Sequence, residues 1–270
     1  MESCWSSITL VPISAAICVC VTACSSGSSP GADADAGQGA EVGADATDST
    51  DSGDGGTCII ANANTTVPPH GGAACPGGGS GTCSPQDETT FNPTWVPPSQ
   101  QLHACTSAQI GDYYSNCLNP ATVSVPGCNA WVSDNANAGC LSCLLTDSTS
   151  AQYGVLIAFP GNQAALNVAG CIALAEPCNI PCAKALLADI ECKSAACNVT
   201  TNCASNPNAN TACETAAESC TACSGYFNQT GCLQDLRGAQ HPAQQNCGTG
   251  TASLPFGTTY TAIATFMCGQ

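Results

Sequence analysis

Two cysteine pairs carry the strongest chemical signal in this chain: Cys140-Leu141-Ser142-Cys143 and Cys220-Thr221-Ala222-Cys223. Four thiolates at that spacing can hold a tetrahedral zinc ion. One such pair on a thioredoxin-like βαβ unit can exchange thiol for disulfide. No alternation of strands and helices is predicted around either pair, so the redox setting is missing. Sixteen further cysteines share the segment with them: Cys58, Cys75, Cys83, Cys105, Cys117, Cys128, Cys171, Cys178, Cys182, Cys192, Cys197, Cys203, Cys213, Cys232, Cys247 and Cys268. In that company each sulfur is expected to bond a distant partner. Such density marks a disulfide scaffold in an oxidising compartment, although spacing alone does not fix the pairing. No metal and no cofactor is expected.

The other reactive residue types are sparse. The histidines are His70 in a Pro/Gly loop, His103 two residues before Cys105, and His241 just before Pro242, all read as surface or loop residues. No H-E-x-x-H, G-x-S-x-G or P-loop pattern occurs, so no serine or metal partner is nominated and no catalytic residue is assigned. The close carboxylate pairs in predicted helices are Asp189 with Glu191 and Glu214 with Glu218. A glycosidase needs two acids across a cleft; Glu214 and Glu218 read more simply as a solvated helix face. Trp95, Trp131, Tyr113 and Tyr114 are the aromatics that could stack on a sugar. Helical spacing sends Trp131 and the tyrosines to the core, and leaves Trp95, between Pro93 and Pro97, as the exposed one.

The elements that must position these residues are mainly helical. Residues 58–104 are loop-rich: Pro68-Pro69, Gly77-Gly78-Gly79, Pro93 and Pro97-Pro98 exclude a long helix. Cys75 and Cys83 are read as closing one small loop there, with short strands at Cys58–Ile60 and Trp95–Val96. From Cys105 onward the periodicity becomes helical. Thr106 and Gln109 form a capping box, followed by Ile110, Tyr113, Tyr114, Cys117 and Leu118 at helical spacing. Short helices are predicted around Trp131 and Leu141. Val155–Phe159 reads as a strand or buried coil. A helix capped by Asn162 is predicted to carry Leu166 to Leu174, and another to begin at Pro181. Thr211 and Glu214 suggest a second capping box. Tyr260 to Met267 is favoured as helix over strand. Segments 105–143 and 192–223 both end in C-x-x-C, as a degenerate duplication would.

The start of the chain answers a different question. Ile8 to Ala23 is apolar, of signal-peptide length, and ends in Val21-Thr22-Ala23-Cys24. These four residues resemble the lipobox of bacterial lipoproteins. The resemblance covers about the first 25 residues and implies a signal peptide at 1–23, removed as Cys24 is lipidated. Two or more acyl chains would anchor the protein stably. Ser25, where an Asp would favour the inner membrane, points to the outer membrane. The n-region departs from the pattern: it lacks Lys and Arg and carries Glu2. The alternative is a secretory signal that is simply cleaved, with Cys24 in a disulfide. From Cys24 to Thr57 the chain holds Asp33, Asp35, Glu41, Asp45, Asp48, Asp51 and Asp54 among Gly, Ala, Ser and Thr, with no basic residue. Such a segment cannot bury enough apolar area to fold and is expected to act as an acidic tether.

Net charge completes the picture. The chain carries 3 basic and 19 acidic residues, for a formal charge of −16. A nucleic-acid partner is excluded, because nothing could neutralise phosphates. Aromatics make up only 5% of residues, so the core must be lean and the disulfides important. The whole resembles the Cys-rich surface lipoproteins of multicellular, predatory Gram-negative bacteria, on lipobox, acidic linker and a cysteine-spaced Ala/Asn/Thr-rich domain. That resemblance implies a location and no mechanism. The expectation is a mainly α, disulfide-stapled helical array at 105–270 behind a loop-rich segment at 58–104. It would be held on a membrane through lipid on Cys24 and bind an unknown envelope or extracellular ligand without catalysis. A secreted or anchored hydrolase acting on extracellular polymer is the alternative.

Overall fold

The structure, a computed structural model, describes residues 90–160, 163–197, 207–220, 223–248 and 255–269, strands at 8–13 and 16–21, and residues 60, 61, 75, 83–86 and 88. Cys24, Cys58, Cys203, His70 and the acidic linker lie outside the described residues. The described part is mainly helical. Its helices are α1 (Ser107–Tyr113), α2 (Val125–Ser133), α3 (Ala138–Leu144), α4 (Val168–Ala175), α5 (Ile180–Ala196), α6 (Pro207–Ser219), α7 (Ser224–Gln229), α8 (Pro242–Cys247) and α9 (Phe256–Cys268).

Local sequence explains most of these boundaries. Thr106 and Gln109 form the predicted capping box on α1, each side chain bonded to the other's backbone. A π-helical turn, Tyr114–Leu118, continues α1 and keeps Cys117 and Leu118 on its buried side. Prolines open α2, α5 and α8, where a missing N–H costs nothing. Two readings need correction. Leu166 is in a strand, and the helix after it is capped by Asn167, whose side chain accepts from the Gly170 N–H. Thr211 lies inside α6, which already begins at Pro207, so it is not the N-cap of that helix.

Strands β3 (Leu145–Asp147), β4 (Leu156–Phe159) and β5 (Gln163–Leu166) form a small sheet, β3 parallel and β5 antiparallel to β4. A hairpin of β1 (Ile8–Ile13) and β2 (Ala16–Val21) extends it through Ile8↔Ala164 and Thr9↔Gln163. Trp95–Val96 forms no strand; Pro98 makes one isolated bridge to Tyr153. Gly154 lies just before β4, packed against the end of α3. A Cβ there would collide with the Cys143 carbonyl oxygen, a backbone atom that cannot swing aside. Gly154→Ala is therefore expected to lower stability by about 1–3 kcal/mol, read from the urea midpoint, as overpacking does. An unchanged midpoint would refute it.

The main core gathers Ile110, Tyr113, Leu118, Trp131, Leu144, Leu156, Ile157, Ile172, Leu186, Leu236 and Tyr260. Tyr113 meets Trp131 edge-on at 4.9 Å, and Tyr114 stacks on Tyr260 at 5.8 Å. A second cluster between α5, α6 and α7 is built largely of Ala188, Cys192, Ala196, Cys197, Cys213, Ala217 and Cys223. Alanine and cysteine bury little area apiece, so hydrophobic transfer at about 25 cal/mol per Å² stabilises this cluster only weakly. Covalent bonds complete it.

Eight disulfides join described residues: Cys75–Cys220, Cys105–Cys140, Cys117–Cys128, Cys143–Cys268, Cys171–Cys247, Cys182–Cys232, Cys192–Cys223 and Cys197–Cys213. Cys83 and Cys178 are disulfide-bonded as well. Cys75 reaches Cys220, so it does not close a small loop with Cys83. Helix α5 is the hub, with Cys182 and Cys192 on it and Cys197 just beyond. Segments 105–143 and 192–223 each nest one bridge inside another. The outer bridge uses the first cysteine of C-x-x-C in one segment and the second in the other. The two are thus not in register, as a simple duplication would require.

Candidate binding cleft

A cleft of about 400 Å³ opens where the Pro93–Trp95 segment crosses α5 and α7. Its floor follows from helical geometry. Pro181, Lys184, Ala188 and Glu191 fall at three- and four-residue intervals and share one face of α5. Tyr226 and Gln229, three apart on α7, form the opposite wall. Trp95 is half-buried, as a side chain lining a cleft must be, and the Lys184 ammonium lies 6.0 Å from its ring centroid. That is cation–π distance. Phe91 meets Tyr226 edge-on at 5.7 Å, and the Tyr226 hydroxyl donates to the Phe91 carbonyl, so the 90s segment is held onto α7. A flat apolar face, one cation and several hydrogen-bonding groups thus converge.

Glu191 is the carboxylate among the lining residues. Burial pushes its acid up to about 6, against the opposing hydrogen bond from the Tyr153 hydroxyl at 3.2 Å. Burial, with the Glu191 charge beside it, raises the Tyr153 phenol well above its ordinary range. The folded chain holds the Glu191 proton more tightly than the unfolded chain does. Its contribution is therefore fully stabilising below the ordinary carboxylate range and is lost as pH rises through about 6. Glu191→Gln, which still accepts from Tyr153, is expected to flatten that dependence. It should gain at most about 2 kcal/mol at pH 7, less what solvent screening removes. Thermal melts of both proteins between pH 4 and 8 decide it; parallel curves would refute the assignment.

The residues singled out for chemistry are dispersed. Both C-x-x-C pairs are consumed in disulfides to distant partners, and no group of His, Cys, Asp and Glu suited to a metal occurs among the described residues. His103 is exposed in a turn, with φ at 65°. His241 is no surface histidine. It is 2% exposed, and its Nδ1 lies 3.0 Å from Glu176 Oε2. Glu214 and Glu218 are not a solvated face either. Glu214 is buried and accepts from Asn210 Nδ2 at 2.9 Å, while Glu218 pairs with Lys193 at 2.8 Å. Glu191 was singled out only as half of a carboxylate pair with Asp189, which does not line the cleft, and Lys184 and Tyr226 were not anticipated as site residues. The stripe on α5 was readable, but nothing in the sequence shows that the 90s segment covers it.

Extensive disulfides are the mark of an extracellular or envelope protein. Among the described residues no helix is long and apolar enough to cross a membrane. No protein-family model, curated protein or solved structure matches this chain.

Proposed function

We propose that the chain is a non-enzymatic lipoprotein of the cell envelope, anchored in the outer membrane through lipid on Cys24. Its disulfide-stapled domain presents the Trp95 cleft to a polar ligand with one flat apolar face, the chemistry of a sugar ring. The observation that carries the binding role is the convergence of Trp95, Lys184, Glu191, Tyr226 and Gln229 on one cleft of a covalently braced scaffold. The lipobox resemblance and the acidic tether support the anchoring. Removal of residues 1–23 would take β1 and β2 with it and leave the three-stranded sheet of β3 to β5. Hydrolysis of a glycan polymer is the weaker reading, because glycosidases use two carboxyls across a cleft and Glu191 has no second acid among the lining residues.

Intact mass of the protein from native membranes is expected to show a start at Cys24 with added acyl mass. Cys24→Ala should move the protein to the soluble fraction. Soluble cell-wall oligosaccharides should perturb tryptophan fluorescence through Trp95, since Trp131 is core-packed, and Trp95→Ala should abolish the response. An unlipidated start would remove the anchor, and release of shortened oligosaccharides would favour the hydrolase.

A further inference from the structure

The chain has 3 Lys and Arg residues in 270, and one of them is sealed in the core. The Lys193 side chain is 8% exposed, and Nζ lies 2.6 Å from Asp189 Oδ2 and 2.8 Å from Glu218 Oε1. Asp189 is 2% exposed at its side chain, one turn back on α5, and Glu218 is 17% exposed on α6. Asp189 Oδ1 is buried with no hydrogen-bond partner. A buried carboxylate with an orphan oxygen is costly, and a buried ion pair stabilises a fold little compared with apolar packing. Stability alone therefore does not explain the placement of so scarce a residue. An amine, a carboxyl and a second carboxyl in contact, dry and rigidly held, are the reactants and the proton carrier of amide formation.

We infer that Lys193 and Asp189 join in an intramolecular isopeptide bond, with Glu218 as the catalytic acid–base. The starting groups are the Asp189 acid, the Lys193 ammonium and the Glu218 carboxylate. Burial raises the acid of Asp189, which favours the neutral acid that the reaction needs, and raises that of Glu218, which makes its carboxylate the stronger base. Against its own burial, the Asp189 and Glu218 charges hold the Lys193 proton more tightly than usual, and this is the proton Glu218 must take. Glu218 takes a proton from Lys193, and the free amine attacks Asp189 Cγ. The Cγ–Nζ bond forms and one Cγ–O bond breaks. Glu218 returns its proton to the departing hydroxyl, which leaves as water, and takes a second proton from the new amide nitrogen. The products are one amide, one water and the Glu218 acid, which is exposed enough to release its proton to solvent. No oxidant or cofactor enters. The dry site lowers the cost of the uncharged amine–acid state relative to water. The fixed geometry supplies an effective concentration of the order of 10⁵ M or more for well-oriented groups. The Cys192–Cys223 and Cys197–Cys213 bridges hold α5 against α6 and α7. The remaining Asp189 oxygen becomes an amide carbonyl, whose burial costs less than that of a carboxylate.

The test is a peptide map of the full chain, made in an oxidising compartment, then reduced, alkylated, unfolded and cut with trypsin. An amide on Lys193 blocks cleavage there. The expected product runs from Ala185 to Arg237, is lighter than its sequence by one water, and gives no fragment ions between Asp189 and Lys193. Glu218→Gln is expected to restore cleavage, releasing Ala185–Lys193 at unmodified mass, with the cysteines still protected from alkylation before reduction. Ala185–Lys193 at full mass from the wild-type chain would overturn the inference, leaving a buried ion pair. So would loss of water with cleavage after Lys193 intact, which is a succinimide at Asp189. A cross-link that survives unchanged in Glu218→Gln would overturn the role of Glu218. The wild-type map decides the bond even if the variant does not fold.

Discussion

Glu176→Ala is expected to destabilise the domain by about 3–5 kcal/mol, the range for stripping one partner from a buried charged cluster. Glu176 ends α4 and is 5% exposed. One of its oxygens accepts from the Asn179 amide at 2.6 Å and meets His241 Nδ1 at 3.0 Å; the other accepts from the Ala243 N–H at 2.9 Å. Asn179 then accepts from the Ala61 N–H through its other end, at 2.7 Å. One carboxylate thus ties the end of α4, the approach to α5 and the first turn of α8. Alanine takes the acceptor away from His241 and the Ala243 N–H, and a buried donor left unpaired costs about 1–3 kcal/mol. Glu176→Gln keeps the shape but turns an amide NH2 toward a donor, so an intermediate loss is expected. Urea unfolding with the disulfides intact measures both. A midpoint for Glu176→Ala equivalent to less than about 1 kcal/mol would show that the cluster rearranges or hydrates freely.

This cluster also marks where sequence reading stops. Local signals were legible: the Thr106 capping box, the buried stripe of Ile110, Tyr113, Cys117 and Leu118, and the proline that opens α5 all match the structure. Failures came where a distant partner decides. Asn162 to Gly170 is rich in alanine and asparagine and suits a helix, yet pairing with β4 makes residues 163–166 a strand. Tertiary context overrides weak propensity in this way. Glu218 and His241 carry no local sign of burial, because their partners lie 25 and 65 residues away in the sequence. Polar residues on helices are ordinarily solvated, so a pairwise exception cannot be read from one chain. The mainly helical class survived because it rests on many short periodic segments, each independent of the rest. The Trp95 cleft was not legible, because it depends on how a proline-rich segment crosses α5.

Removing the Cys143–Cys268 bridge should cost more than removing the short Cys117–Cys128 bridge, and the reason is topological. The bridge closes a loop with a sequence separation of 125 and ties the end of α3 to the end of α9. Loop-closure entropy in the unfolded chain rises with the logarithm of loop length, which gives nearly 5 kcal/mol for a loop that long. The other bridges shorten the real path: the chain can pass through Cys171–Cys247 and more than halve it. That lowers the expected loss for Cys143→Ala with Cys268→Ala to about 4 kcal/mol. By the same model Cys117–Cys128, with a separation of 11, is worth about 3 kcal/mol. The contrast is the test, since both bridges are fully buried and both double alanine variants open similar cavities. Backbone bonds from Gln101, His103 and Cys105 to Met267, Gly269 and Cys268 still hold the end of α9 when its bridge is gone. The variant should therefore fold, with a lower melting temperature and with α9 exchanging its amide protons sooner than α5, which keeps its own bridges. Equal losses for the two variants would show that native-state strain or residual unfolded structure, rather than loop entropy, sets the worth of these disulfides.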